Sequence, residues 1–167
     1  MSSGIIVRDA VGADLPALLE IYNFAILNET SVWNDDISDL ADRSRWWKQR
    51  TSDGFPVFVA DLDGVVVGYG TFGDFRHNQG YRFTVEHSIY VTSSVQRRGV
   101  GSVLLTRLIA EARRMNKHAM VGGIASDNVA SIALHQRFGF VETGRMPQVG
   151  FKFGRWLDLV LMQKLLT

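Results

Sequence analysis

Cysteine is absent from all 167 residues, which removes disulfides, thiolate metal ligands and a cysteine nucleophile together. Proline is scarce: Pro16, Pro56 and Pro147 are scattered, and no Pro/Ser-rich or low-complexity tract divides the chain. An excess of one charge is missing too. Eighteen basic against 17 acidic side chains leave a formal net charge of +1, so no global field attracts nucleic acid or an anionic membrane, and any anion must be held locally. No apolar run approaches the roughly 20 residues that span a bilayer. Met1 to Arg8 lacks a basic segment followed by an apolar stretch, so the cytoplasm is the expected compartment. These absences leave a small molecule as the expected partner.

What is present is an ordinary globular composition: 46% hydrophobic, 11% aromatic and 21% charged residues, in a length that suits one domain over 1–167. Leu15, Leu18, Leu19, Tyr22, Ala25 and Ile26 keep helical spacing up to Asn28, with Asp14 placed to cap that helix. A second helix is expected over Ser38–Arg50, its Trp46 and Trp47 assigned to the core. The period then changes. Val57–Ala60 and Val65–Phe72, joined through Asp63-Gly64, predict a β-hairpin. Phe83–Val91 predicts a strand with Phe83, Val85, His87, Ile89 and Val91 on one face and Thr84, Glu86, Ser88 and Tyr90 on the other.

Gln96-Arg97-Arg98-Gly99-Val100-Gly101 then leads into a helix with Leu104, Leu105, Leu108, Ile109 and Ala112 on one side. Ala119–Ile124 predicts a strand, and Asp127 or Asn128 caps a helix that runs to Phe138 and ends at Gly139. Strands over Phe140–Arg145 and Trp156–Leu166 complete the chain. The order predicts an α/β or α+β fold with a mixed sheet flanked by helices.

A strand that passes through Gly99 and Gly101 into a helix offers unpaired main-chain N–H groups and the positive end of a helix dipole, where phosphates bind. A P-loop needs Gly-Lys-Ser/Thr, but Ser102 follows Gly101 with no lysine; a dinucleotide fingerprint needs a third glycine where Leu104 stands. A pyrophosphate held by consecutive amides remains, with Arg97 and Arg98 available for a further phosphate. Two glycines alone also suit a plain turn before a helix.

Gln96-x-x-Gly99-x-Gly101, after a strand ending Ile89-Tyr90-Val91, resembles the acetyl-CoA motif of GNAT-type N-acetyltransferases. Asn128-x-x-Ser131-x-x-Leu134-His135-x-x-Phe138-Gly139-Phe140 is similar to that family's second signature, in which a tyrosine often takes the place of His135. Trp33-Asn34, Thr84 to Ser88, Met146 to Gly150 and Lys152 to Asp158 resemble the phosphinothricin and methionine sulfone/sulfoximine branch, the sulfone/sulfoximine group most closely. The resemblance implies a GNAT-like domain and an acetyl-CoA cosubstrate along Ser88, Ile89, Tyr90, Val91, Gln96, Arg97, Arg98, Gly99, Val100, Gly101, Ser102, Asn128 and Ser131. It also implies a homodimer.

Acetyl transfer from a thioester to an amine needs a neutral amine, a stabilised oxyanion and an acid for the departing thiolate. A free α-amine has a pKa of about 7.7 to 8.0, so a mild base suffices. A strand glutamate is by itself more often solvated or ion-paired; the resemblance makes Glu86 the catalytic carboxylate, acting through water. Main-chain N–H groups of Ile89 to Val91 can face the thioester carbonyl if their strand parts from its neighbour, as it does in the resembling family. His135 is the candidate acid and cofactor contact. Arg76 offers a bidentate clamp for an amino-acid carboxylate, with Trp33 and Tyr81 as pocket walls. His87 is assigned to the acceptor as well, although alternation sets it with Ile89 on the opposite face from Glu86. The four histidines show no paired metal-ligand spacing, and the basic pairs are too local to predict DNA binding. The competing readings are another amine acceptor, such as phosphinothricin or a peptide N-terminus, and a non-catalytic acyl-CoA-binding domain, which would have no use for Glu86.

Overall fold

The computed structural model describes residues 4–167; residues 1–3 of the expected 1–167 domain lie outside that range. The elements are β1 (Ile5–Asp9), α1 (Leu15–Asn28), α2 (Leu40–Ser52), β2 (Val57–Leu62), β3 (Val65–Asp74), β4 (Thr84–Val91), α3 (Val100–Arg114), β5 (Ala119–Ala125), α4 (Val129–Arg137), β6 (Val141–Lys152) and β7 (Arg155–Leu165). One mixed sheet runs β1-β2-β3-β4-β5-β7-β6, with β4 and β5 its parallel neighbours. The expected fold class holds.

Local chemistry accounts for most boundaries. Asp63 and Gly64, at φ 53° and 87°, make the tight turn between β2 and β3, which the Asp61 carboxylate closes by accepting the Gly64 N–H at 2.7 Å. Asp39 caps α2, accepting the Asp42 N–H at 2.8 Å, while Asp42 accepts the Asp39 N–H at 3.4 Å. On α3, Leu104, Leu105, Leu108 and Ala112 are fully buried against Phe58, Phe72, Val85 and Met120. Each large side chain removed from water contributes about 1.5 to 3 kcal/mol. Trp46 and Trp47, assigned to the core, are half-buried and pack on the cluster of Leu18, Ile21, Val59 and Tyr69.

Two expectations need correction. Asp14 precedes α1 but does not cap it with its side chain, because a turn over Gly12–Asp14 already holds it in a helical conformation, φ −82° and ψ −17°. Its carboxylate instead accepts the Val11 N–H at 2.8 Å and both terminal nitrogens of Arg8 at 2.8 and 2.9 Å. The other correction is β6, which continues past Arg145 to Lys152. A register shift between Met146 and Gly150, with Gln148 at φ 54°, interrupts the alternation around Pro147.

The Arg8 hydrogen bonds hold the Asp14 carboxyl below its ordinary range. A lowered folded-state pKa means that the stabilisation is whole above the unfolded value of about 3.9 and is lost as pH falls through the lowered value. Asp14→Asn is therefore expected to lower Tm at neutral pH, and the gap to wild type should close in acid as pH falls below the ordinary carboxylate range and through the lowered folded-state value. Thermal melts across that range check it, and a gap independent of pH would contradict the ionic origin.

Candidate active site

β4 and β5 pair only over Thr84–Glu86 and Ala119–Val121. Beyond Glu86 and Val121 they part, each still held on its outer side: β3 pairs with β4 as far as Val91, and β7 with β5 as far as Ala125. The strand separation expected from the resemblance is present. A cleft of about 920 Å³ opens there, floored by β4 and β5 and walled by the starts of α3 and α4.

Main-chain direction along β4 follows from its end residues. The Phe83 carbonyl accepts from His118 and Ala119 N–H on the β5 side, while the Thr84 carbonyl accepts from Phe75 N–H on the β3 side. Alternation therefore turns the main-chain groups of odd-numbered Ile89 and Val91 toward the open cleft.

The α3 terminus supplies a second set of donors. Arg97 and Gly99 have φ 67° and 86°, and Gly99 stands at the cap position without a side-chain cap. The Val103 N–H to the Gly99 carbonyl, 3.1 Å, starts the helical ladder. The N–H groups of Val100, Gly101 and Ser102 thus precede it, at the positive end of a 15-residue helix with no acidic residue in its first turn. This arrangement fits a pyrophosphate.

Among the residues expected to hold the cofactor, Ser88, Ile89, Tyr90, Val91, Gln96, Arg97, Gly99, Val100, Gly101, Ser102, Asn128 and Ser131 line the cleft. Arg98 is exposed and lies outside the lining, since the positive φ of Arg97 turns the chain between the two. Asn128 caps α4 by accepting the Ser131 N–H at 3.2 Å.

His135 also lines the cleft, but it is only 4% exposed and both ring nitrogens have partners. Its Nδ1 lies 2.6 Å from the Ser131 carbonyl and its Nε2 2.8 Å from Nε2 of His87. His87, expected beside the acceptor, sits instead on the wall of this cleft, with Ile89 and away from Glu86. It is 6% exposed, with Nδ1 2.9 Å from the Val121 carbonyl. A Cβ added at Gly122 would meet His87 and His135, whereas one at Gly123 would meet Glu86, so the two glycines mark opposite faces of the sheet. Burial lowers both imidazoles: His87 falls to about 4, with the His135 charge as the second cause.

Glu86, on the far face, is half-buried; burial raises its pKa and the Arg76 charge partly offsets the rise. The exposed Arg76 donates to the Phe75 carbonyl at 2.7 Å and stacks 4.1 Å from the Phe75 ring centre, which in turn packs against Tyr81 at 5.7 Å. Trp33 donates to the Thr30 carbonyl at 2.8 Å, and its ring covers Gly150 closely enough that a Cβ there would lie 2.3 Å away. Glu86, Trp33, Arg76 and Tyr81 all lie outside the cleft lining.

Sequence reasoning missed the far wall. The loop after α1 contributes Glu29, which accepts from Gln96 at 3.3 Å, and Thr30, which donates to Asp127 at 2.9 Å; Arg155 pairs with Asp127 at 2.5 Å. Separations of 67, 97 and 28 residues leave no local pattern for these contacts. Lys152, 2% exposed, was missed as well. Its ammonium donates to the carbonyls of Ala25 (3.3 Å), Glu29 (2.6 Å) and Val32, pinning the same loop to the end of α1. A lone lysine on the inward side of β6 was the available signal.

Among the described residues, no helix is long and apolar enough to cross a membrane, and no group of three or more His, Cys, Asp or Glu could hold a metal.

Residues 18–140 match the Acetyltransferase (GNAT) family. The chain is 53% identical over 157 residues to the L-methionine sulfoximine/L-methionine sulfone acetyltransferase of Salmonella typhimurium, covering 94% of this chain and 92% of that protein. It is 36% identical over 160 residues to the phosphinothricin N-acetyltransferase of Alcaligenes faecalis, covering 95% and 80%. The Salmonella typhimurium protein yncA, solved with its cofactor acetyl-CoA, superposes with a TM-score of 0.95 at 52% identity, covering 98% of this chain and 94% of that one.

Proposed function

We propose, for a chain that belongs to the Acetyltransferase (GNAT) family, that the acceptor is the α-amine of a small L-amino acid, methionine sulfoximine or methionine sulfone foremost. The chain is an N-acetyltransferase that uses acetyl-CoA. The observation that carries the acceptor reading is the cleft's two-sided apex. Cofactor-side donors and the parted strands lie on one side, and on the other a half-buried carboxylate feels the charge of Arg76. The greater likeness to the sulfoximine/sulfone enzyme than to the phosphinothricin one selects the acceptor.

In this reading the amides at the start of α3, with Arg97, hold the cofactor's phosphates. Arg76 receives the amino-acid carboxylate, and Trp33 and Tyr81 flank its side chain. Glu86 takes a proton from the ammonium through a water. The neutral nitrogen attacks the thioester carbon, the C–N bond forms as C–S breaks, the proton that the nitrogen then sheds passes to the departing thiolate, and main-chain N–H groups of the Ile89–Val91 segment receive the charge on the carbonyl oxygen. Without cysteine no acetyl-cysteine can form, so the amine attacks the thioester directly in a ternary complex unless a hydroxyl carries the acetyl group.

Phe151, Phe153 and Trp156 form an exposed apolar group on the β6–β7 hairpin, which supports the homodimer reading. A cytoplasmic location goes with a reaction that consumes acetyl-CoA.

Thiol release from acetyl-CoA across an amino-acid panel tests the assignment. Methionine sulfoximine and sulfone are expected to outpace phosphinothricin and a peptide N-terminus; cofactor binding with no amino acid accelerating release would leave only an acyl-CoA-binding domain. In the same assay Arg76→Ala should raise the acceptor KM about tenfold, the loss of one charge-assisted bidentate contact. An unchanged KM removes the clamp.

A further inference from the structure

Between α1 and α2 the chain runs through Glu29-Thr30-Ser31-Val32-Trp33, and Thr30 makes two contacts that lead in opposite directions. Its hydroxyl donates to Oδ1 of Asp127 at 2.9 Å, and its carbonyl accepts the Trp33 indole N–H at 2.8 Å. Asp127, in the connection from β5 to α4, lines the cleft together with Thr30; Trp33 lies outside that lining, its ring over Gly150 of β6. The other carboxylate oxygen, Oδ2, accepts from Arg155 at 2.5 Å, where β7 begins. The Arg155 guanidinium foremost, and the Thr30 hydroxyl after it, hold the Asp127 carboxyl below its ordinary range. An ionised carboxylate only accepts, so the Thr30 hydroxyl is the donor and its direction is set.

We propose that Thr30 is the positioning residue for Trp33: through Asp127 it ties the acceptor wall to the cofactor cleft, so that a cofactor filling the cleft fixes the indole for the acceptor. The rest of the segment is anchored independently. Lys152 holds the carbonyls of Glu29 and Val32, and the Val32 side chain is buried with Ala25 and Ile26. On the β4 side of the gap, Gln96 donates to the Glu29 carboxylate at 3.3 Å. Among the described residues, the hydrogen bond that joins this segment to the β5–α4 connection is the one from the Thr30 hydroxyl.

Asp127 and Arg155 are exposed and Thr30 is half-buried, so in the open cleft water competes for these contacts. Thr30, Asp127 and Arg155 all line the cleft. A cofactor lying there displaces that water, and hydrogen bonds to an ion strengthen as the local dielectric falls. The hydroxyl and the carbonyl belong to one residue, so firming the first also fixes the second, to which the indole is bonded. Contact with this chain of groups supplies the differential interaction that any ligand-driven shift requires. The role in acceptor binding rests on the acetyl-transfer reading and on Trp33 as a wall of the acceptor pocket; the link from the cleft to the indole does not.

Hydrogen exchange at the Trp33 indole N–H reads the link without acceptor or turnover. In the full chain labelled with 15N-tryptophan, Trp33→Phe identifies the resonance by its loss. Saturating CoA is expected to slow that exchange about three- to tenfold, the scale of one hydrogen bond made firm. Thr30→Ser keeps the hydroxyl and should respond as wild type does. Thr30→Val keeps the shape without the donor, and Asp127→Ala removes the acceptor; both should bind CoA and show no slowing. Equal slowing in Thr30→Val, or none in wild type, overturns the link. In steady state Thr30→Val should raise the acceptor KM about three- to tenfold while kcat changes less than about twofold, and Thr30→Ser should restore KM. A loss that serine fails to restore would mark a general disturbance of the loop and count against positioning. Thr30-dependent slowing with no amino acid accelerating thiol release sinks the functional reading alone; acetyl transfer to an amino acid with Trp33 exchange indifferent to CoA sinks the link alone.

Discussion

Glu86→Gln is expected to lower kcat by about 100- to 10,000-fold, the range that positioned general bases supply, while acetyl-CoA binds nearly as before. The split follows from placement. Glu86 lies outside the lining of the cleft and on the opposite face of the sheet from His87, so the amide removes a proton acceptor without disturbing the main-chain N–H groups at the start of α3 that are proposed to hold the cofactor's phosphates. Glutamine keeps the size and loses the charge, which makes a steric explanation of the loss untenable. Wild-type rates should also fall in acid, since the base works only when ionised, and the midpoint should lie above that of an ordinary glutamate because burial raises the Glu86 pKa. Steady-state rates, cofactor titration and a pH profile measure these. Equal losses of rate and cofactor affinity would remove Glu86 from the role of base.

Lys152→Met is expected to cost about 3 kcal/mol of stability, in the range for stripping a charged partner from buried polar groups. Methionine replaces the aliphatic stem and nothing replaces the ammonium, which leaves the carbonyls of Ala25, Glu29 and Val32 unsatisfied. Ala25 and Glu29 belong to the last turn and cap of α1, where a cation also complements the helix dipole. Glu29 and Thr30 line the cleft, so the acetyl-CoA KM should rise in the same variant. Denaturant unfolding and initial rates check both effects. A loss under about 1 kcal/mol would show that water replaces the ammonium.

Much of this was legible because it is local. The stripe Leu104, Leu105 and Leu108 identified α3, Asp63-Gly64 the hairpin, and strict alternation along β4 put Glu86 and His87 on opposite faces. The same alternation already argued against grouping His87 with Arg76. What escaped reading depends on partners remote in sequence. The parting of β4 from β5 is set by where a parallel register ends, and the meeting of two imidazoles 48 residues apart leaves no spacing to detect. The bulge around Pro147 hid the second half of β6, because a strand that breaks its own period no longer reads as one.

The ending of the β4–β5 ladder after three residue pairs also partitions the protein as an evolving object. On the proposed assignment, the residues for acetyl-CoA lie within the parted strands and along α3 and α4, while those for the acceptor, Trp33 between α1 and α2 and Arg76 and Tyr81 between β3 and β4, sit beyond the lining. Substitutions in the second set can drift without touching the first. On that assignment one acetyl-donor apparatus can serve different acceptors, with Glu86 at the boundary between the two sets.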